Sequence, residues 1–84
     1  SEDIIKAQQG DQKAMTDLIE KNKGLIWSIV KRFRDRGYEL EDLYQIGCIG
    51  FIKSIQRFDT NFEVKLSTYS VPYMIRRDKK NYKR

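Results

Sequence analysis

The sequence predicts an all-α protein, a compact bundle of four to five helices. Three observations support this prediction. Only one Pro and five Gly interrupt 84 residues, and residues that favour helices fill the spaces between them. Apolar residues recur at steps of three and four, which is the spacing of one face of an α-helix. Alternation at a step of two, which is typical of strands, is confined to one short stretch that begins at Phe62.

The first helix is expected to be short and acidic at its beginning. Ser1 is suited to cap it, and two acids follow in the first turn, where they interact favourably with the helix dipole. The helix should run through Gln9 and end at Gly10. Asp11 then provides a good N-cap for the segment that follows.

The second segment carries an apolar face that continues as far as Phe33. Asn22 and Gly24 interrupt this face, so we expect a break or a bend near them. Gly37 stands just beyond a cluster of basic residues, which is a typical C-terminal stop signal for a helix.

The next helix should run from about Glu39 to Arg57 and is apolar over more than half of its circumference. Such a helix is either central in a bundle or meets a partner. The polar groups spaced along it that could hydrogen-bond to a second protein are Asp42, Tyr44 and Gln45. Gly47 and Gly50 lie on adjacent turns, where the missing side chains allow another backbone to approach closely.

The last part of the chain combines a loop with a final helix. Residues 59–66 are interpreted as a loop, and a short strand from Phe62 would be unstable without a partner strand. Ser67 is expected to cap a helix that continues toward Arg84. Pro72 falls inside this helix and should bend it or delay its start.

The composition excludes several classes of function. The chain has no His and one Cys, so it lacks the commonest general base, any Cys/His zinc cluster and an internal disulfide. No apolar run approaches the ~18 residues that a membrane span requires. We therefore expect one cytoplasmic domain over residues 1–84 that binds partners, is not an enzyme, and has no cofactor, no metal and no membrane contact.

The positive charge is concentrated at one end of the chain. The net charge is +5, from 17 basic and 12 acidic residues. Residues 76–84 hold six basic groups and one acid, so the remainder of the chain sums to zero. Such a segment attracts phosphate, although basic tails also serve simply as solvated surface.

Aromatic and basic residues are interleaved in the same part of the sequence. Tyr69 and Tyr73 are four residues apart and share one helix face, which Arg76 and Lys80 continue, with Arg77 beside them. Aromatic rings stack on bases and cations bind the backbone, so this face suits single-stranded nucleic acid. The alternative is that both tyrosines pack in the core and the basic tail is merely solvated.

Three motifs carry a resemblance to a known family. They are NKGLIWSIVKRF at 22–33, DLYQIGCIGFIKSIQRFD at 42–59 and LSTYSVP at 66–72. Their order and spacing resemble the conserved second region of bacterial RNA polymerase sigma factors, and the sporulation-type factors of Gram-positive bacteria most of all. The resemblance runs from about Ser1 to Ile75.

The resemblance implies a helical bundle that recognises the promoter's minus-ten element and captures its non-template strand. Tyr69 matches the aromatic residue on which a flipped adenine stacks. Asn22 and Leu25 match positions that line the pocket for a flipped thymine. Further expected DNA contacts, including phosphate contacts from the basic groups, are Lys65, Ser67, Thr68, Tyr73, Arg76, Arg77 and Lys80.

The resemblance also implies a surface for RNA polymerase. The expected partner is the coiled coil of clamp helices in the largest polymerase subunit. Asp42 and Gln45 match the polar contacts, with Ile46 and Ile49 beside them. Ile46 replaces a Glu of many members, so one polar contact is lost or replaced there. The alternative is a fragment bound mainly by an anti-sigma factor or by polymerase, without productive DNA binding.

Two departures from the family pattern matter. Pro72 and Tyr73 stand where housekeeping members carry two Trp, so stacking at the upstream edge of the bubble should be weaker. After Ile75 the chain leaves the sporulation-type pattern, and the later promoter-binding regions are not in the sequence. An excised domain and a natural stand-alone protein remain alternatives.

Overall fold

The structure, a computed structural model, describes residues 2–34, 37–61 and 65–82, except for the side chains of residues 77–82. Within these ranges the chain is helical and contains no strand, which confirms the predicted all-α fold. The described residues form five α-helices: α1 (Glu2–Gln8), α2 (Gln12–Lys21), α3 (Lys23–Val30), α4 (Leu40–Arg57) and α5 (Leu66–Tyr82). A short 3-10 helix (Lys31–Phe33) lies between α3 and α4.

The connection from α1 to α2 follows its sequence signals. Gly10 adopts a φ of 100°, a left-handed conformation that favours glycine, and the chain reverses there. The Asp11 side chain accepts a hydrogen bond from the Ala14 N–H at 3.1 Å, which confirms the predicted N-cap. Helix α1 ends one residue before the predicted Gln9, and its predicted cap Ser1 lies outside the described residues.

The predicted break near Asn22 is confirmed, since α2 ends and α3 begins on either side of this residue. The Asn22 side chain turns back and donates to the Leu18 carbonyl at 2.8 Å. Its own carbonyl accepts from the Ile26 N–H at 3.0 Å, so Asn22 closes one helix and opens the next. An asparagine suits this position because its side chain replaces a backbone partner.

The prediction that a helix would continue to a stop at Gly37 is wrong. Helix α3 ends at Val30, and the 3-10 helix tightens its last turn through a bond from the Arg34 N–H to the Lys31 carbonyl at 3.3 Å. Arg34 has a ψ of 163°, an extended conformation that cannot continue a helix. Gly37, with a φ of 93°, serves the connection to α4 instead.

Helix α4 is the central element, as one of the two interpretations of its apolar surface predicted. It packs most extensively on α5 and also contacts α1, α2 and α3. A Cβ built on Gly50 would lie 2.8 Å from the Tyr73 carbonyl oxygen and 2.9 Å from the Met74 Cα, so the predicted close backbone approach occurs there. The largest fully buried side chains are Phe51, Ile26, Leu43, Ile55 and Met74.

Helix α5 begins at Leu66, so the prediction that Ser67 caps it is wrong. The Lys65 carbonyl accepts the first bond, from the Tyr69 N–H at 3.0 Å, which places Ser67 inside the first turn. Pro72 lies within the helix and does not delay its start. It leaves the Thr68 carbonyl without its usual donor, and both residues are exposed, so water can reach that carbonyl. The possible strand at Phe62 falls outside the described residues.

Candidate nucleic-acid interface

Tyr69 and Tyr73 lie side by side on α5, as their spacing predicted. Their ring centroids are 5.3 Å apart, with the rings tilted by 42°. The ring of Phe58, at the end of α4, meets Tyr69 edge-on at 5.3 Å. Both tyrosines are half-buried, and Tyr69 packs against the core cluster. Tyr69 therefore touches the core and still reaches the surface.

The two tyrosine hydroxyls form a small hydrogen-bond network with the end of α4. The hydroxyls of Tyr69 and Tyr73 lie 3.1 Å apart, and the Tyr69 hydroxyl also donates to the Arg57 carbonyl at 3.4 Å. The bond with Tyr69 lowers the pKa of Tyr73, and the Arg57 guanidinium lowers it further, while partial burial opposes the change. The bond with Tyr73 and partial burial raise the pKa of Tyr69.

Exposed cations precede and follow this pair of rings along the chain. Lys65 precedes α5, and Arg76 follows Tyr73 by one turn; both side chains are exposed. Arg57, also exposed, is a residue that sequence reasoning missed. A basic residue in the last turn of a helix is commonly a dipole partner, and only the packing of α4 on α5 brings Arg57 to Tyr73. The side chains of Arg77 and Lys80 lie outside the described residues.

The polar residues before Tyr69 lie in the first turn of α5. Ser67 is half-buried and its carbonyl accepts from the Ser70 hydroxyl at 3.1 Å, while Thr68 is exposed. They precede Tyr69 by one and two residues, so their side chains point to other sides of the helix than the Tyr69 ring. Ser70 is fully buried and satisfied by this local bond, and it therefore supports the helix.

An open pocket of about 490 Å³ lies where α1, the turn between α2 and α3, and the start of α5 come together. Asn22 lines it, whereas Leu25, predicted for the same pocket, is not among its lining residues; Leu25 is half-buried in α3 and packs against the core. No local pattern predicts the other lining residues, because they come from separate helices. Those residues are Glu2, Asp3, Ile4, Leu18, Lys21 and Leu66.

The residues expected to bind polymerase share one face of α4. Asp42, Gln45, Ile46 and Ile49 follow the spacing of three and four that places side chains on one side of a helix. Asp42 and Gln45 are exposed, Ile46 is half-buried, and Ile49 is 47% exposed. This face thus presents two polar side chains and one apolar side chain to solvent.

The opposite side of α4 holds an aromatic stack. The rings of Trp27 and Tyr44 are 4.4 Å apart and nearly parallel, at 17°. Burial, together with a hydrogen bond to the Cys48 side chain, raises the pKa of Tyr44 to about 12. In the part of the chain that the structure describes, no cluster of residues is able to hold a metal ion, and no helix is long and apolar enough to cross a membrane.

Comparisons with known proteins all lead to RNA polymerase sigma factors. The family model of Sigma-70 region 2 matches residues 18–84. The RNA polymerase sigma-F factor of Bacillus licheniformis is 57% identical over 72 residues, which are 86% of this chain and 28% of that protein. The RNA polymerase sigma-F factor of Priestia megaterium is 55% identical over 74 residues, 87% of this chain and 29% of that protein.

A second type of relative is more distant. The RNA polymerase sigma-G factor of Bacillus subtilis (strain 168) is 46% identical over 67 residues, 80% of this chain and 26% of that protein. The chain thus spans less than a third of the length of these three relatives. The resemblance predicted from the three motifs is confirmed, including its closeness to the sporulation-type factors. The match of the family model extends to residue 84, beyond the predicted limit at Ile75.

Proposed function

Because the chain belongs to the Sigma-70 region 2 family, we propose that it acts in transcription initiation in the bacterial cytoplasm, as the part of a sporulation-type sigma factor that joins RNA polymerase to a promoter. Sigma factors are not enzymes, so the proposed work is binding. Its DNA target is the minus-ten element, whose non-template strand is captured as the duplex opens. The chain spans less than a third of the sigma-F relatives, so further promoter contacts of a whole factor are not assigned to it.

The exposed aromatic and basic group on α5 is the observation that carries this proposal. Tyr69 is held between Phe58 and Tyr73 and still reaches the surface, which suits a ring that stacks on a flipped adenine. Exposed Lys65 and Arg76 stand on either side to bind phosphate. Base flipping costs a few kcal/mol of unstacking, and stacking on an aromatic ring offsets about 1–3 kcal/mol of it.

The pocket beside Asn22 supports capture of a second base. Its volume of about 490 Å³ is ample for a pyrimidine, and Asn22 and Lys21 supply polar groups that can bond to a base edge. Leu66 belongs to the same pocket and adjoins Ser67, so the pocket opens near the start of the proposed strand path. We propose that a flipped thymine enters here.

Helix α4 supports the polymerase half of the proposal. The exposed Asp42 and Gln45 provide hydrogen-bonding groups, and Ile49 adds an apolar anchor to the same face. A polar pair around an exposed apolar residue is typical of protein interfaces. We propose that this face binds the clamp helices of the largest polymerase subunit.

The DNA half is tested by titration of a fluorescent single strand at low salt, because phosphate contacts weaken as salt rises. The strand with the minus-ten sequence should bind more tightly than a scrambled strand, and Tyr69→Ala should lower its affinity by about 5- to 100-fold. Tyr38→Ala, at an exposed tyrosine outside α5, is the matched control. Equal affinity for both strands, together with no effect of Tyr69→Ala, would show that the DNA half is wrong.

The polymerase half is tested by a pull-down with an isolated clamp-helix fragment. The double variant Asp42→Ala with Gln45→Ala should lose binding, whereas Gln12→Ala, on the exposed surface of α2, should retain it. A parallel pull-down with an anti-sigma factor examines the alternative function. Capture by the anti-sigma factor, combined with no binding of either clamp helices or DNA, would favour a fragment whose partner is that regulator alone.

A further inference from the structure

We propose that Tyr73 is a positioning residue whose hydroxyl holds the ring of Tyr69 ready for a base. This inference rests on the proposed function and deepens it, because it assigns to Tyr73 a task other than stacking on DNA. Stacking on a base uses the ring of a tyrosine and does not need its hydroxyl. The hydroxyl is therefore the feature to explain.

The first step is the restraint on Tyr69. Its hydroxyl lies 3.1 Å from that of Tyr73 and donates to the Arg57 carbonyl at 3.4 Å. A phenol has one proton, so Tyr69 donates either to the Arg57 carbonyl or to the Tyr73 hydroxyl, and in the first arrangement its oxygen accepts from Tyr73. Phe58 packs edge-on against the same ring. The Tyr69 ring is thus held at its hydroxyl end by two polar contacts and at its side by an aromatic contact.

The second step is the restraint on Tyr73 itself. Its carbonyl oxygen and the neighbouring Met74 Cα approach Gly50 so closely that a Cβ there would lie within 2.9 Å of both. The Tyr73 backbone is therefore packed directly on α4 and has little freedom to move. Its hydroxyl also faces the Arg57 guanidinium. Tyr73 can therefore hold the Tyr69 ring through the hydrogen bond between their hydroxyls, because its own backbone is fixed on α4.

Restraint of the Tyr69 ring before binding should strengthen its contact with a base. A side chain that is mobile before binding loses conformational freedom when a base stacks on it, and this loss weakens the complex. A ring that is already held avoids the loss. The Tyr73 hydroxyl should then strengthen binding only where a base occupies the Tyr69 site, and it should have no effect on phosphate contacts elsewhere.

Conservative variants separate this role from direct stacking. Tyr73→Phe removes the hydroxyl and keeps the ring, whereas Tyr73→Leu removes both. Tyr69→Phe removes the other partner of the bond. Each variant is titrated with the minus-ten strand and with the same strand carrying an abasic site in place of the flipped adenine. The ratio of the two affinities measures base capture at Tyr69.

We expect Tyr73→Phe to lower this ratio by about threefold to tenfold, in the range of one lost hydrogen bond. Affinity for the abasic strand and the midpoint of thermal unfolding should stay unchanged. Tyr69→Phe removes this bond and also the bond to the Arg57 carbonyl, so its loss should be at least as large. The double variant should lose no more than Tyr69→Phe alone, because the bond between the two hydroxyls is already absent there. Tyr38→Phe, which removes a hydroxyl outside α5, is the control.

Each other outcome has a definite meaning. If Tyr69→Ala leaves binding unchanged, the proposed function fails at this site. If Tyr69→Ala weakens binding while Tyr73→Phe behaves as wild type, the positioning role is overturned, and a loss in Tyr73→Leu then assigns Tyr73 to direct stacking. An equal loss for the adenine and abasic strands in Tyr73→Phe also overturns it, because a positioning role requires the base.

Discussion

Tyr69 shows how one side chain can contribute to both the core and the surface. The ring packs on Phe58, and its hydroxyl reaches the Arg57 carbonyl at the end of α4. The same residue remains half-exposed. Its spacing from Tyr73 predicted the shared helix face, whereas the contact with α4 depends on how two helices cross. Replacement of Tyr69 should therefore affect stability as well as binding, which makes the conservative Phe variant the more informative one.

Tyr44 provides a prediction about alkaline pH. Burial raises its pKa from the ordinary value of 10.0 to about 12 in the folded protein. Between these values the unfolded chain has lost the proton that the folded chain retains, so the free energy of unfolding should fall as the pH rises from about 10 to about 12. Urea unfolding over this range should show a smaller decline in Tyr44→Phe than in wild type. Equal declines in the two proteins would show that Tyr44 is not the group responsible. Unfolding at pH 8, below the pKa of Tyr44 in both states, measures how much the substitution changes stability through packing alone.

Gly50 provides a prediction about close packing. A Cβ at this position meets backbone atoms of Tyr73 and Met74, which cannot move aside without displacing α5. Gly50→Ala should therefore lower the free energy of unfolding by about 1–3 kcal/mol or more, even though alanine favours helix. The control is Gly24→Ala, in α3, where nothing lies within 4 Å of the added Cβ. Urea denaturation should show Gly24→Ala at or above wild-type stability, and equal stability of the two variants would be the contrary result.

At the scale of elements, α4 and its C-terminal end organise the molecule. The last carbonyls of a helix lack partners within the helix. In α4 they are met from two sides: Tyr69 of α5 bonds to Arg57, and Gln8 of α1 bonds to both Ile55 and Phe58, at 2.9 Å and 2.7 Å. The end of α4 therefore ties the first helix to the last, close to the proposed base site.

Gln8 is expected to stabilise this junction. Gln8→Ala removes two bonds from one amide, and the Phe58 carbonyl loses its Gln8 partner while the Ile55 carbonyl keeps the Phe58 N–H at 3.3 Å. The free energy of unfolding should therefore fall by about 1–3 kcal/mol. Gln9→Ala, the neighbouring exposed glutamine beyond α1, should cost little. Chemical denaturation monitored by circular dichroism measures both. A loss in Gln8→Ala no greater than that in Gln9→Ala would mean that the junction contributes nothing.

Two element boundaries differ from the prediction for local reasons. The cluster of basic residues before Gly37 indicated a helix end there, but the chain leaves the helix after a 3-10 turn, at the extended Arg34. Ser67 is a good cap residue by type, but Lys65 provides the first accepting carbonyl of α5. Residue preferences at helix ends are worth about 1 kcal/mol, so tertiary packing readily moves such boundaries by a few residues.

In the whole molecule, the surplus positive charge and the residues proposed to contact bases lie in different parts of the chain. Residues 1–75 have no net charge, and the surplus of +5 lies in residues 76–84. The proposed base contacts belong to the neutral part. The basic segment should therefore contribute attraction to DNA of any sequence, and the aromatic and pocket residues should contribute preference for the minus-ten sequence.

Salt dependence measures this division. Each phosphate contact to a single strand adds about 0.7 to the slope of log affinity against log salt concentration. Arg76→Ala should reduce the slope by about that amount and weaken the minus-ten and scrambled strands equally. Lys13→Ala, in α2, removes a cation paired with Asp17 at 3.6 Å and should leave the slope unchanged. An unchanged slope in Arg76→Ala would exclude a phosphate contact from that residue.

The order of amino acids alone predicted the helical fold, the break at Asn22, the Asp11 cap and the shared face of Tyr69 and Tyr73. These features depend on neighbours within a few residues, whose preferences and periodicity can be read along the chain. The spacing of three motifs also identified the family.

Contacts between distant segments of the chain became visible only in the folded structure. Three features bring together residues that are far apart in the chain. Arg57 lies beside Tyr73, Gln8 bonds to the end of α4, and one pocket is lined by both Asn22 and Leu66. No local preference encodes such contacts, because they arise from the angle and register at which packed helices meet. The motifs therefore predicted which residues matter, and the packing of α4 against its neighbours determined how they are held.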